Sequence, residues 1–115
     1  MAEREIRTFE TGATRDSVVG KNDYEGFLSP LVLVCYGKYM TKHREQTNGQ
    51  LRDSDNWQKG IPPDQYIKSA FRHFIDWWLE HRGHKSIDGL EDALCALLFN
   101  TMGYLHETLK AKNPS

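Results

Sequence analysis

The sequence lacks an excess of charge of either sign: among 115 residues, 15 Lys and Arg stand against 16 Asp and Glu, a formal net charge of −1. No general field therefore attracts nucleic acid or an anionic membrane, and we expect neither as a partner. No apolar run approaches the roughly 20 residues that span a bilayer. The charged start MAEREIRTFE also lacks the apolar stretch of a signal peptide. These absences predict a cytoplasmic protein.

Cysteine is scarce as well, with only Cys35 and Cys95 in the chain. Each lies in an apolar pattern, and no CxxC or CxxH spacing is present. Disulfide scaffolds and structural zinc sites need more cysteines at closer spacing. We therefore predict two reduced, buried thiols.

The length suits one domain, and the spacing of apolar residues predicts an all-α fold with three main helices. Residues 1–25 are polar and read as an extended arm. The first helix is predicted from about Ser29, a suitable N-cap, through Pro30 to about Gln46. A long loop, 47–63, follows and contains the breakers Asn-Gly and Pro-Pro.

Two further helices are predicted, over Asp64–Arg82 and about Leu90–Lys110. The third is apolar on two sides, which indicates burial on both. Because three helices cannot easily cover it, we expect a partner subunit to complete the bundle, as a homodimer or homotetramer. One side is a leucine stripe, and the other carries smaller residues: Leu90, Leu94, Leu97, Leu98, Leu105 and Leu109, against Ala93, Cys95, Ala96, Phe99 and Gly103.

The central helix carries a polar stripe within a sector of roughly 100°. Its members are Ser69, Arg72, His73, Asp76 and Glu80. Asp76 and Glu80 lie one turn apart, as a pair of oxygen ligands for Mg²⁺ would, and Arg72 could bind phosphate. A solvated face with Arg72–Asp76 and His73–Glu80 ion pairs is the open alternative. The aromatic residues opposite, including Trp77 and Trp78, are predicted to face the core.

Other candidates lie outside that stripe. Asp92, among the small residues of the third helix, is either a partly buried ligand or an ordinary acid of the first turn. Asn100 could bond a nucleoside or only a neighbouring backbone group. Trp57, beside Asn56 and Lys59, could stack on a base or simply cover the core.

Several segments together resemble the dATP/dGTP diphosphohydrolase family, small and mostly phage-encoded proteins related to the MazG-like all-α nucleotide pyrophosphatases. The matching motifs are F-x-TGA-x-RD over Phe9–Asp16, GK-x-x-Y over Gly20–Tyr24, and NW-x-KGIP over Asn56–Pro62. Arg72 and His73 followed by Trp77 and Glu80, and Asp92 followed by Asn100, also match. The resemblance runs from about Phe9 to Glu107.

The resemblance implies a Mg²⁺-dependent enzyme, with Mn²⁺ as a possible substitute, in bacterial or phage-infected cytoplasm. It would hydrolyse nucleoside triphosphates, dATP and dGTP by the family name, to monophosphate and pyrophosphate.

The residues that match the family motifs take implied roles. Asp76, Glu80 and Asp92 would hold metal, Glu80 would act as base, and His73 would orient or bind. The implied substrate contacts are Lys21, Asn56, Trp57, Lys59, Arg72 and Asn100. Lys38 stands where many relatives carry a glutamate, and Cys95 and Ala96 stand about where the last aspartate would be expected. One metal position is therefore expected to be absent or filled by Asp53 or Asp55. The alternative is a non-catalytic helical interaction module.

Overall fold

The computed structural model describes residues 6–16 and 20–113 and is mainly α-helical, with one small sheet. The described residues form four α-helices: α1 (Tyr24–Phe27), α2 (Pro30–Lys42), α3 (Pro63–His81) and α4 (Leu90–Lys112). The chain divides into two compact units, residues 1–32 and 33–115, so that the boundary falls near the start of α2. In the part of the chain described, no helix has the length and hydropathy that crossing a membrane requires.

The first unit holds a hairpin of β1 (Ile6–Thr8) and β2 (Thr14–Asp16), which pair antiparallel. Its turn closes where the Phe9 amide donates to Ala13 at 2.8 Å, and Gly12 takes a φ of +89°, a left-handed conformation that favours glycine. Expecting this segment to be only an extended arm was therefore wrong. Part of the predicted arm, residues 1–5 and 17–19, lies outside the described residues.

The predicted start of α2 is confirmed, because Ser29 Oγ accepts a hydrogen bond from the Val32 amide at 3.2 Å and Pro30 is the first helical residue. Its predicted end at Gln46 was wrong. The helix stops at Lys42, and the chain then folds back through an antiparallel bridge between Glu45 and Leu51.

The segment 47–63 was predicted as a loop, and most of it is one, but it is not without structure. After the bridge it forms a 3₁₀ turn over Asn56–Lys59. α3 and α4 lie within two residues of their predicted bounds. Two glycines with positive φ, Gly83 at +86° and Gly89 at +87°, allow the chain to reverse direction between α3 and α4.

The core of the second unit is the antiparallel-running pair α3 and α4, which meet through one large and several small side chains. Tyr66 of α3 is 2% exposed, and its ring meets Phe99 of α4 edge-on at 5.8 Å. The Tyr66 ring also lies directly across Gly103, where a Cβ would overlap it. The other residues buried on α4 are Ala93, Cys95, Ala96 and Asn100. Small residues thus let the two helices approach closely.

The orientation of α3 about its axis reverses the sequence expectation. Tyr66 fixes the face turned to α4, and residues in phase with it at 100° per residue include Ser69, His73, Asp76 and Glu80. Those polar side chains are half-buried. The large apolar side chains predicted for the core are instead exposed on this chain: Ile67, Phe71, Phe74, Trp77 and Trp78, with Ile75 and Leu79 beside them.

The leucine stripe of α4 is likewise not buried within one chain. Leu90, Leu98, Leu105 and Leu109 are exposed, whereas Leu94 and Leu97 are half-buried. The predicted burial on both sides of this helix depends on a partner subunit and stays a prediction. Within the described residues, the exposed leucines form apolar surface that this chain does not cover.

Substituting Gly103→Ala is expected to destabilise the fold by about 1–3 kcal/mol, because the added methyl collides with the Tyr66 ring. Gly37→Ala in α2 is the matched control. It meets nothing within 4 Å and should be neutral or stabilising by up to about 1 kcal/mol. Urea unfolding of both variants measures the difference. Equal stability of the two would contradict the close contact.

Candidate functional site

Glu80 is engaged in holding the connection between α3 and α4. Its Oε2 accepts hydrogen bonds from the Ser86 amide at 2.8 Å and from Ser86 Oγ at 3.1 Å. Ser86 Oγ in turn accepts from the Gly89 amide at 3.1 Å, one residue before α4 begins. This chain of bonds fixes where α4 starts relative to α3. The carboxylate predicted as base or metal ligand therefore has a structural task.

His73 and Asp76 form the central part of the polar stripe. His73 Nδ1 lies 3.8 Å from Asp76 Oδ2, with the side chains 27% and 31% exposed. The distance exceeds that of a hydrogen bond, so the pair is a loose one. His73 pairs with Asp76 and not with Glu80 as the solvated-face alternative supposed. Of the three predicted metal ligands, Asp76 therefore has the weakest contact with another side chain of the protein.

Asp92 lies at the first turn of α4 and forms an ion pair with α2. Lys42 Nζ approaches Asp92 Oδ2 to 2.8 Å. The hydrogen bond to Asp92 raises the pKa of Lys42. Burial, and then the charge of Asp92, raise the pKa of Tyr39 to about 12. The need for Asp92 to be paired or coordinated is thus met by a lysine.

The three predicted metal ligands do not meet at one point in the described residues. Glu80 is bonded to Ser86, Asp92 to Lys42, and Asp76 lies near His73. Within residues 6–16 and 20–113, no group of three His, Cys, Asp or Glu side chains is arranged to hold a metal ion. As they stand in one chain, these side chains do not fit a shared Mg²⁺.

The predicted substrate contacts are spread over several elements. Asn100 is buried and its Nδ2 donates to the Ala96 carbonyl at 2.7 Å, so that donor is engaged by its own helix. Lys21, in the first unit, and Arg72 are both exposed. Lys59 ends the 3₁₀ turn, also exposed.

Trp57 and Asn56, in the same 3₁₀ turn, are half-buried. The Trp57 ring meets His106 at 4.7 Å and Phe99 at 6.5 Å between centroids, both edge-on. Trp57 therefore covers one side of α4. Its position is fixed by two aromatic contacts, which also suits a residue that presents a rigid wall to a ligand.

The structure adds two arginines that the sequence reading missed. Arg44 and Arg52 lie on opposite arms of the Glu45–Leu51 bridge and line one cleft with Asn56 and Trp57. The cleft has a volume of about 170 Å³. The signal in the sequence is the turn Asn48-Gly49 between them, since Asn-Gly between paired segments brings flanking residues together.

The two cysteines touch, although 60 residues separate them. Cys35 Sγ of α2 and Cys95 Sγ of α4 lie 3.7 Å apart, and both are free thiols. Burial, with the hydrogen bond to Cys35, raises the pKa of Cys95 to about 11. The predicted burial holds for Cys95, whereas Cys35 is half-buried.

No protein-family model, no curated protein and no solved structure matches this chain.

Cys95 and Tyr39 predict a loss of stability at alkaline pH. A pKa raised on folding stabilises the folded state below the ordinary value, and that contribution is lost as the pH rises through the folded value. For Cys95 the window runs from pH 9.0 to about 11. Urea unfolding from pH 8 to 11 should show a falling free energy of unfolding. Cys95→Ala should flatten the fall above pH 9, and an unchanged slope would contradict the assignment.

Proposed function

We propose that this protein is a nucleoside triphosphate pyrophosphohydrolase that acts on purine deoxynucleotides, dATP and dGTP, and requires Mg²⁺ or Mn²⁺. The motifs over Phe9–Tyr24 and Asn56–Pro62, and those around Arg72 and Asp92, support the reaction and the substrates by resemblance. The observation that carries the proposal is the inward-turned polar face of α3.

That arrangement is unfavourable for a helix that serves folding alone. Enclosing polar and charged side chains costs free energy unless each is well paired. Exposing four large aromatic rings forgoes the gain from burying them. Yet α3 turns the half-buried His73 and Asp76 toward α4, with only a loose contact between them, and exposes Phe71 and Trp78. A half-buried acid and imidazole without firm partners are free to bind a ligand.

The residues of the chain suggest a division of tasks. Asp76 would orient the His73 ring only by approaching Nδ1 more closely than the 3.8 Å of this structure, which would leave Nε2 facing a water beside the substrate. Glu80 holds the α3–α4 connection and so keeps the stripe beside the first turn of α4. A bound cation would supply charge neutralisation at the phosphates. Because the three acids have separate partners in one chain, the cation requirement rests on the resemblance.

The activity is tested by incubating the protein with Mg²⁺ and each of the eight common nucleoside triphosphates and measuring released pyrophosphate. We expect release from dATP and dGTP and none after chelation of the metal. Asp76→Asn should lower the rate at least tenfold, because it removes the negative charge beside His73. No pyrophosphate from any nucleotide would end the proposal.

A control keeps that test independent of folding. Asp64→Asn removes a charge at the first turn of α3, away from the stripe, and should leave the rate unchanged. Thermal melts of both variants should resemble that of the unchanged protein. If Asp76→Asn also lowers the melting temperature, so that loss of folded protein accounts for the lower rate, the role of Asp76 is structural.

The second part of the proposal is self-association through the exposed face of α3. Ile67, Phe71, Phe74 and Trp78 recur at spacings of four, three and four, a stripe that fits the matching stripe of another helix. Phe71, Phe74, Trp77 and Trp78 are 42–66% exposed. At roughly 150–250 Å² for each aromatic side chain, they leave about 400 Å² uncovered before any aliphatic neighbour is added.

An exposed apolar area of that size favours an oligomer over a monomer. With Ile67, Ile75 and Leu79 included, the face supplies more than half of the roughly 800 Å² that each partner contributes to a standard interface. A second copy carries the same stripe and can cover it symmetrically. We therefore propose a homodimer, or a homotetramer if the exposed leucines of α4 also engage.

Phe71→Lys should convert the oligomer into single chains, since a charge would be buried at the centre of the interface. Light scattering coupled to size exclusion measures the mass. Ile87→Lys is the matched control, because Ile87 is 99% exposed in the α3–α4 connection and should leave the mass unchanged. A single-chain mass for the unchanged protein would refute self-association.

The second candidate function is a non-catalytic helical module that binds another protein. The same exposed aromatic face favours it, together with the separate partners of the three acids. The two functions differ in their response to ligand. A nucleotide with Mg²⁺ raises the melting temperature of an enzyme that binds it, because a ligand specific to the folded state stabilises that state. An unchanged melting temperature favours the module.

A further inference from the structure

The cleft beside the 3₁₀ turn is a second polar enclosure, distinct from the α3 stripe. It lies among the end of α2, the bridged segment, the 3₁₀ turn and α4. Its lining combines cationic, amide and aromatic side chains: Arg44, Arg52, Asn56, Trp57 and Phe99. That combination is the one that recognises a phosphate group attached to an aromatic base.

Arg44 is held in position by the backbone opposite. Its Nε donates to the Arg52 carbonyl at 2.8 Å, and the Arg52 amide donates to the Arg44 carbonyl at 2.8 Å. A guanidinium has five N–H donors, so this bond leaves four for a ligand. The side chain is half-buried and already oriented. Little conformational entropy is therefore lost when it binds an anion.

The positive charge of the cleft is not neutralised within the chain. Across the described residues, neither Arg44 nor Arg52 forms an ion pair with a carboxylate. One acid, Asp53, also lines the cleft, so the arginines outnumber it, and His43 adds charge only when protonated. Two guanidinium groups beside one cavity favour an anion that accepts hydrogen bonds from both.

The dimensions of the cleft restrict what it can hold. About 170 Å³ is less than the roughly 300 Å³ at which small-molecule sites begin, so a whole nucleotide does not fit. An adjoining polar hollow of about 500 Å³ shares Arg52, Asp53 and Asn56 and adds Lys59. Together they offer an enclosed anion position and an open, cationic continuation. A chain of linked phosphates has that extended shape.

We infer that this cleft binds the phosphate chain of the nucleotide, with Arg44 and Arg52 as its anchors and Lys59 beside them. The inference rests on the proposed hydrolase and deepens it, because it gives the phosphates a site that the α3 stripe lacks. Trp57 then forms the wall next to the phosphates. Arg72, which is exposed on α3, is the alternative anchor for the phosphates.

The test is binding of inorganic tripolyphosphate, measured by titration calorimetry with the metal chelated. Arg52→Gln is the first variant, because the Arg52 side chain makes no hydrogen bond in the described residues and its loss leaves the fold intact. We expect affinity to fall about tenfold or more, as for loss of a charge-assisted contact. Arg52→Lys should recover part of it, since it restores the charge without the forked donors.

Lys85→Gln, in the exposed α3–α4 connection, removes the same charge elsewhere and should leave the affinity unchanged. Unchanged binding by Arg52→Gln, a loss confined to Arg72→Gln, or no binding of tripolyphosphate by the full chain would each overturn the inference.

Hydrolysis assays separate this inference from the proposed function. Arg52-dependent binding without any pyrophosphate release would leave the anion site standing and remove the hydrolase. Hydrolysis of dATP with an unchanged KM in Arg52→Gln would keep the hydrolase and remove the anion site.

Discussion

The ring of Tyr66 lies across Gly103, and this single contact sets how α3 is turned about its axis. A helix is rigid enough that fixing one side chain fixes the direction of all the others. With Tyr66 turned to α4, His73 and Asp76 must lie along the same seam, whereas Phe71 and Trp78 must point away. The candidate chemistry and the exposed apolar surface are thus two results of one packing contact.

The helix bounds could be predicted because their signals are local. Ser29 and Pro30 begin α2, and glycines flank the connection between α3 and α4. The rotation of α3 about its own axis could not be predicted from such local signals. A pattern of apolar residues tells which side avoids water, but not whether the cover is this chain or another. The deciding partner, Gly103, lies 37 residues beyond Tyr66 and has no side chain to form a pattern.

Contacts between distant segments were missed for the same reason. Cys35 and Cys95 touch across 60 residues, and cysteines so far apart form no local motif by which the contact could be predicted. Arg44 and Arg52 are close in sequence but were assigned to a helix end and a loop. Their shared cleft exists only because the chain reverses at Gly49, where φ is +83°. Two side chains that a chain reversal brings together can be recognised as neighbours only when the reversal itself is known.

The present partners of Glu80 and Asp92 limit how a cation could bind between these two acids. Glu80 and Asp92 are each held by a protein partner, Ser86 and Lys42, so a cation shared between them would have to replace at least one of these contacts. Lys42 is largely exposed and can withdraw into water at little cost, which makes Asp92 easier to release than Glu80.

The proposed self-association and substrate binding would act on these contacts in opposite directions. Covering the aromatic face of α3 removes water from one side of the helix and leaves the polar seam on the other in a less aqueous surrounding, where charges interact more strongly. An anionic substrate anchored at Arg44 and Arg52 would instead compete with Asp92 for Lys42, the cation that now neutralises it. In this arrangement self-association, substrate binding and the availability of Asp92 would depend on one another.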